Sequence, residues 1–349
     1  MKKYIIILTT LVSLLFMSCN PDGIGIFYKI SVEPALSTSA LSEKSVYKIV
    51  ELSGTKYVLA GGTVYKENGS DWAALATPSG ETQAVSLLSD GTTIFTVYAD
   101  NSNSSLYELS GSTWITATNT ASLNNSNDLI LIEGNSSYFF ICEETTPGHY
   151  NISSYTTATN TLTDVTSSDI TLPVIDGAYD GTNYYLISSN YTGSSEIYTT
   201  NGTSNINAIS GTTTGFDYTK ALGGIIANGS DLYISNRSGI LNKSVDGTTW
   251  TAVNTTALAN TKLGDMAIVD IGGTNYLLIA SNGGFYEMNL SGGTPVSPTA
   301  ATIGSTVYES VNLYTELVYS IFSSSAANTF YIGSSNGLWY SDTNELTIK

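Results

Sequence analysis

Chemistry-bearing side chains are scarce in this chain of 349 residues. It has two cysteines, Cys19 and Cys142, one histidine, His149, and one arginine, Arg237. Two cysteines cannot staple a disulfide scaffold, and one histidine with one leftover thiol does not make a zinc site. Charge is thin as well. Charged residues are 12% of the chain, about half the ~25% of an ordinary soluble domain. They divide into 29 acidic and 12 basic, a net of −17, which excludes the basic footprint that nucleic-acid binding requires. After the first twenty residues no apolar run is long enough to cross a bilayer as a helix. Calcium loops of the DxDxDG type and phosphate-binding P-loops are missing too, and no GxSxG nucleophile elbow on a strand-to-helix turn accompanies His149, so no metal or cofactor is expected.

Small polar residues fill the space. There are 47 Ser, 47 Thr and 28 Asn, together with 24 Tyr. Such a composition suggests disorder until its apolar content is counted: 42% of residues are hydrophobic, set in short Ile, Val, Leu and Tyr runs that continue to the end. That is enough to bury a core.

Residues 1–19, MKKYIIILTTLVSLLFMSC, begin with Lys2 and Lys3 and continue into the mostly apolar stretch Tyr4 to Phe16. Its length suits a signal peptide rather than a spanning helix. With Ser18 before Cys19, the segment resembles a bacterial lipoprotein signal, although Phe16 and Met17 stand where the usual motif has leucine and a small residue. The resemblance implies cleavage after residue 18 and lipidation of Cys19. Several acyl chains at ~0.8 kcal/mol per methylene would hold the protein at a membrane nearly permanently. Asn20 in place of an aspartate leans the expected address towards the outer membrane. The expected organisation is 1–18 signal peptide, 19–40 lipidated cysteine and tether, and 41–349 folded domain. The tether includes a strand, Ile26 to Glu33, suited to closing a ring.

A β-rich run recurs seven times: KYVLA (56–60), TIFTVY (93–98), SYFFIC (137–142), NYYLIS (183–188), DLYIS (231–235), NYLLIA (275–280) and TFYIG (329–333). Most are preceded by an apolar strand and a turn such as SDG, YDG, ANG or IGG, whose glycines supply positive φ. A third strand containing tyrosine follows, as in TVYKE and SLYEL, and then a Thr-rich fourth, clearest in SGSTWITAT (110–118). Four short strands per repeat, seven times over, indicate an all-β, seven-bladed propeller of four-stranded antiparallel blades.

One repeat carries a further signature. LYISNRSGILNKSVDGTTW (232–250) resembles the Asp-box, or bacterial neuraminidase repeat, with Ser244, Asp246, Gly247 and Trp250 matching in kind and one residue fewer between Asp and Gly. The resemblance implies a propeller in which serine and aspartate brace the hairpin between third and fourth strands and the tryptophan packs between blades. Sialidases carry such boxes, but they also clamp their substrate carboxylate with three arginines, and this chain has only Arg237.

Turns joining second to third strands share one face with the loops between blades. On that face the candidate ligand-binding residues are Asp100, Asn101, His149, Asn190, Tyr191, Asn236, Arg237, Asn282 and Asn336. The expectation is a lipid-anchored, extracytoplasmic, non-catalytic module that binds or scaffolds a protein or glycan partner. Two alternatives are an envelope glycan-acting enzyme using Glu143, Glu144 or Asp100 as carboxylates, and a purely structural surface lipoprotein. Two carboxylates converging in one cleft would favour the enzyme.

Overall fold

The computed structural model describes residues 40–349 except 101–102, 121–122, 124–128, 167–169, 191–192, 204–205, 210–213, 254–257, 259–260, 294–300, 304–305, 309–312, 314–315, 327, 343–344 and 349; for 301–303, 306–308, 342 and 345–348 it describes the backbone only. Cys19 and the strand at 26–33 therefore lie outside the described residues.

Twenty-nine strands follow one another in chain order. Blade one is β1 (Val46–Leu52), β2 (Thr55–Ala60), β3 (Thr63–Asn68) and β4 (Asp71–Ala74). Blade two is β5 (Gln83–Ser89), β6 (Ile94–Ala99), β7 (Ser104–Ser110) and β8 (Thr113–Thr116). Blade three is β9 (Leu129–Ile132), β10 (Tyr138–Thr146), β11 (His149–Thr156) and β12 (Thr161–Asp164). Blade four is β13 (Val174–Tyr179), β14 (Tyr184–Ser189), β15 (Ser195–Thr200) and β16 (Asn207–Ala208). Blade five is β17 (Leu222–Asn228), β18 (Asp231–Asn236), β19 (Leu241–Ser244) and β20 (Thr251–Ala252). Blade six is β21 (Leu263–Ile271), β22 (Thr274–Ser281) and β23 (Gly284–Asn289), followed by a separate hairpin, β24 (Ala301–Ile303) and β25 (Thr306–Tyr308). Blade seven is β26 (Val318–Ser323), β27 (Phe330–Ser334), β28 (Gly337–Asp342) and β29 (Glu345–Ile348). All pairings are antiparallel between successive strands. Blade six differs from the others only in having three bonded strands.

The first strand of each blade touches the first strand of the next, and β26 meets β1. The molecule is therefore a seven-bladed propeller. The seven recurring sequence runs are its second strands, β2, β6, β10, β14, β18, β22 and β27. Each is buried on both faces, because alternate residues enter the cores on either side. Tyr184 and Leu186 pack towards blade three, Tyr185 and Ile187 towards blade five. Seven hydrophobic clusters result, one at each blade-to-blade junction. The seventh, with Val46, Ile49, Val58, Tyr331 and Leu338, closes the ring between blades seven and one.

Turn chemistry fixes the register of the hairpins. Ser53-Gly54, Gly61-Gly62 and Gly272-Gly273 have positive φ at both positions, the twist that two-residue hairpins need. In SDGTT and YDGTN the aspartate Oδ1 accepts from two amides ahead: Asp90 from Thr92 and Thr93, Asp180 from Thr182 and Asn183, all at 2.7 Å. Such Asx turns stop each hairpin at one length.

The β19–β20 turn is braced in the same manner. Ser244 Oγ donates to Asp246 Oδ1 (3.1 Å) and accepts from Gly247 N–H (2.9 Å), while Asp246 Oδ1 accepts from Thr248 and Thr249. Gly247 has φ +71°, and a Cβ there would lie 2.4 Å from the Tyr185 ring of blade four. Trp250 is buried in the blade four–five core against Phe216. Trp250→Ala is expected to lower unfolding free energy by about 3–5 kcal/mol, whereas Val245→Ser, at an exposed position in the same turn, should stay within about 0.5 kcal/mol; urea denaturation measures both.

Candidate functional site

A ring of seven sheets leaves one edge of each first strand facing the central channel, with backbone amides that no further strand can pair. Six of the seven first strands share one irregularity near their start. The register shifts at Val46/Lys48, Ala84/Ser86, Val174/Asp176, Leu222/Gly224, Leu263/Met266 and Val318/Ser320. These are β-bulges, which bend a strand and re-aim a side chain.

The residue just after the bulge turns to the next blade. Ser86 Oγ accepts from Leu131 N–H (3.1 Å), Asp176 Oδ2 from Ile225 N–H (2.9 Å) and Asp265 Oδ2 from Ile321 N–H (3.2 Å). Blades two, four and six thus cap edge amides of blades three, five and seven. The second oxygen of each aspartate accepts from the following amide of its own strand, Gly177 or Met266, at 2.9 Å. Polar residues at these positions satisfy donors that would otherwise be orphaned.

Two further charges join them. Lys48, just after the bulge of blade one, reaches Glu133 at the end of β9 (Nζ–Oε1 2.8 Å). Lys48, Glu133, Asp176 and Asp265 line one cavity of about 260 Å³ together with Gly177, Ile225 and Met266. Side chains from blades one, three, four and six can converge only on the axis. The channel admits water, so Lys48 and Glu133 keep 28% and 54% of their side-chain surface accessible, although protein surrounds them. A neighbouring cavity of about 390 Å³ shares Glu133 and Gly134 and continues past Glu51, Asp90 and Phe322.

Four ionisable groups in one channel shift one another. Burial alone would lower the Lys48 ammonium, but Glu133, Asp265 and Asp176 raise it well above its ordinary value. Glu133 is held low by Lys48. Asp176 is pushed from 3.8 up to about 7, by burial first and then by Asp265, against the pull of Lys48 and the Ile225 amide. Asp265 is raised by burial too, with Lys48 opposing.

Two of the bulged residues, Tyr47 and Val85, are exposed, whereas Ile175 of blade four packs partly buried against the blade four–five core. Tyr47 and Val85 are 46% and 43% accessible, and Leu317, just ahead of β26, is 40%. They are three of the five large apolar side chains exposed among the described residues. Tyr319, the bulge of blade seven, stacks on Tyr47 with ring centroids 4.9 Å apart. With Val85 and Leu317 they stand at the starts of the first strands of three adjacent blades, seven, one and two, an apolar collar on that side of the channel mouth. On blades five and six the equivalent positions are Gly223 and Gly264, and the collar is open.

The described residues among those singled out from the sequence occupy the second-to-third-strand turns of blades two to seven. Their side chains serve these turns. Asp100 Oδ1 accepts from Asn103 N–H (2.7 Å), Asn190 Oδ1 from Gly193 and Ser194, and Asn236 Oδ1 from Ser238 and Ile240, the last four at 2.9 Å. Asn282 Oδ1 accepts from Lys262 N–H (3.0 Å), and Asn336 Nδ2 donates to Glu316 (3.5 Å), so these two tie the turn to an interblade loop. The Arg237 amide donates to Ala221 O (2.8 Å). His149 opens β11, and its carbonyl accepts from Thr145 Oγ1. Asn101 and Tyr191 lie outside the described residues. Glu143 and Glu144 are consecutive on β10 and so point to opposite faces of the sheet; Glu144 accepts from Gly148 N–H (2.9 Å).

Sequence reasoning missed the channel quartet. A signal for it exists, because the first strands align as V-Y-K-I, A-V-S-L, V-I-D-G, L-G-G-I, L-G-D-M and V-Y-S-I. The third position is polar or glycine in all six and sits between apolar neighbours.

No known protein family matches the chain, nor does any curated protein match it significantly. Solved structures do. The extracellular domain of BT4673 from B. thetaiotaomicron is similar over 87% of this chain, with TM-score 0.61 and 12% identity. PorZ, a surface component of the type-IX secretion system of Porphyromonas gingivalis, is similar over 90%, with TM-score 0.59 and 14% identity. YCF48 bound to D1 peptide is similar over 91%, with TM-score 0.57 and 11% identity. The likeness is one of fold. The chain spans 39% of the BT4673 and PorZ chains and 98% of the YCF48 chain.

Between the ordinary 3.8 and about 7, the native protein binds protons at Asp176 that the unfolded chain has lost. Stability should therefore fall as pH rises through that window, and Asp176→Asn should flatten the slope. Lys48→Met removes the cation that opposes both aspartates and should steepen it. Urea midpoints at pH 4.5, 6 and 8 decide both; an unchanged slope in Asp176→Asn would contradict this assignment.

Proposed function

We infer that this chain is a lipid-anchored, extracytoplasmic propeller that binds a partner without catalysis, at the face bearing the channel mouth. The carrying observation is the collar. Isolated exposed apolar side chains are ordinary, but a cluster around a cavity marks an interaction surface. Here Tyr47, Val85, Leu317 and Tyr319 gather at the one place where seven strands converge. Tyr47, Val85 and Tyr319 are the extra residues of bulges, two of which lie beside charged or polar residues that face the channel, and Leu317 directly precedes the third.

Other features support the reading. The propeller scaffold recurs in an extracellular domain and a bacterial surface component, and one similar propeller was solved with a peptide bound. The bracing of the β19–β20 turn by Ser244 and Asp246 fits an Asp-box blade of secreted propellers. The leader and Cys19 fit an anchored precursor facing the periplasm or the outside. For glycan hydrolysis two carboxylates must face one another across a cleft; Glu143 and Glu144 diverge, and Asp176 and Asp265, which share the channel, each already brace two backbone amides.

A photo-crosslinking residue placed at position 47 or 85 in source cells is expected to give a discrete adduct, and one at exposed position 245, on a third-to-fourth-strand turn, is not. Equal adducts at 245, or none at the mouth, would overturn the binding assignment. Cys19→Ser should move the protein from the membrane to the soluble fraction; unchanged fractionation would remove the anchor.

A further inference from the structure

We propose that the channel mouth receives a protein segment that lays apolar side chains on the Tyr47–Val85–Leu317–Tyr319 collar and inserts one lysine or arginine side chain between Asp176 and Asp265. This specifies the partner of the binding face described above and rests on that reading.

The collar and the charge below it are separate observations that point to the same occupant. Aliphatic Val85 and Leu317 offer nothing to sugar hydroxyls, but they match aliphatic or aromatic side chains of a polypeptide, and Tyr47 and Tyr319 add a stacked aromatic surface. Beneath the collar one ammonium faces three carboxylates, a formal excess of two negative charges. Lys48 is engaged with Glu133 at 2.8 Å. That leaves Asp176 and Asp265 as the pair whose other direct partners among the described residues are backbone amides, one per oxygen. Each carboxylate oxygen accepts more than one hydrogen bond, so both keep capacity towards the channel.

Geometry selects an organic cation over a metal ion. Among the described residues no three carboxylate, histidine or cysteine groups come close enough to hold a metal. The aspartates stand instead on blades four and six, with blade five between them, and blade five contributes only Gly223 and Gly224 at that level. A Cβ on Gly224 would lie 3.1 Å from Gly264 O, 3.3 Å from Asp176 Oδ2 and 3.4 Å from the Asp265 Cα, so glycine lets the backbone of blade five pass close to both aspartates, and the open space is the cavity of about 260 Å³ that the two line together. At the collar positions of blades five and six stand Gly223 and Gly264, so no side chain there covers the mouth. Tyr47 directly precedes Lys48, one strand step of about 3.3 Å, and Asp176 and Asp265 stand at the corresponding bulge positions of blades four and six. A guanidinium, with five donors in a plane, can bridge two separated carboxylates.

The test uses the whole chain and two capped peptides, acetyl-Gly-Leu-Phe-Arg-Leu-Gly-amide and its counterpart with neutral citrulline for arginine. Titration calorimetry should find the arginine peptide binding about tenfold or more tightly. Asp176→Asn with Asp265→Asn should abolish that preference, since each asparagine Oδ1 can still accept from Ile225 or Ile321 while the charge and the bond to Gly177 or Met266 are lost. Circular dichroism and a cooperative melt confirm that the double variant is folded. Tyr47→Ser with Leu317→Ser should weaken both peptides by a similar factor. Equal affinity of the two peptides, a preference that survives the double Asn variant, or binding of neither would overturn the proposal. Crosslinks at position 47 combined with any of these outcomes, or a crosslinked partner that proves to be a glycan, would leave the binding face standing and remove only its basic-segment ligand.

Discussion

A sheet standing on edge in a closed ring is covered on both faces, so alternate residues of one strand enter two different cores. In β14, Tyr184 and Leu186 serve one junction and Tyr185 and Ile187 the other. A strand in this position cannot alternate apolar with polar, and its side chains must still suit an extended backbone. Tyr, Ile, Val, Leu and Phe meet both demands. The outer strands have a free face and carry the Thr, Ser and Asn. Low charge is then a consequence of architecture: most positions are either inside a junction or in a turn whose geometry asks for Gly, Asn, Asp or Ser. Because each junction is built from two adjacent blades, the ring needs no covalent closure. Val46, Ile49, Tyr331 and Leu338 join the first blade to the last by the same packing that joins the others.

The inner edge imposes the opposite demand. Seven first strands present amides to a channel in which no strand can pair with them, and leaving such donors unsatisfied in a narrow, partly dry space is costly. The bulge answers this by bringing a polar side chain from one blade onto the amide of the next, as Asp176 does to Ile225 and Asp265 to Ile321. Carboxylates accept such bonds well but concentrate negative charge on the axis. Lys48 offsets part of it and in turn depends on Glu133 for a partner. On blades seven, one and two the extra residue of the bulge, Tyr319, Tyr47 or Val85, is left at the mouth, whereas on blade four Ile175 packs against the next junction.

The sequence displays the two-sided burial plainly, because it produces seven apolar runs at regular intervals and glycine turns between them. The propeller, its strand order and the turns from second to third strands are legible for that reason, and so is the braced turn at Ser244–Asp246. Blade six is less so. There the hairpin β24–β25 follows three bonded strands, and no composition cue sets the loop Ser291–Gly293 apart from the turns that end other blades. The channel was hidden by a different effect. A single polar residue inside an apolar strand reads as ordinary alternation, and Lys48, Asp176 and Asp265 lie 128 and 89 residues apart in the chain. Only the bulge makes them neighbours on an axis. The rim asparagines, by contrast, were conspicuous because turns need them, and the turns consume their carbonyl groups.

Bracing and recognition use the same atoms in the channel, and that limits how the site can vary. Asp176 and Asp265 hold adjacent blades through one oxygen while facing the axis with the rest of the carboxylate. Replacing either with an apolar residue would orphan two amides as well as remove a charge, whereas asparagine keeps one acceptor oxygen for the neighbouring blade and gives up the charge and the bond to its own strand. The unfolded chain does not assemble this arrangement, since its members come from blades one, three, four and six. A cation held there would bind the closed ring alone and so stabilise it by mass action. In the absence of such a cation, protonation of Asp176 relieves the same repulsion. The channel is thus the one region of the molecule where stability and occupancy are governed by a shared electrostatic term, and the collar above it decides what can reach that term.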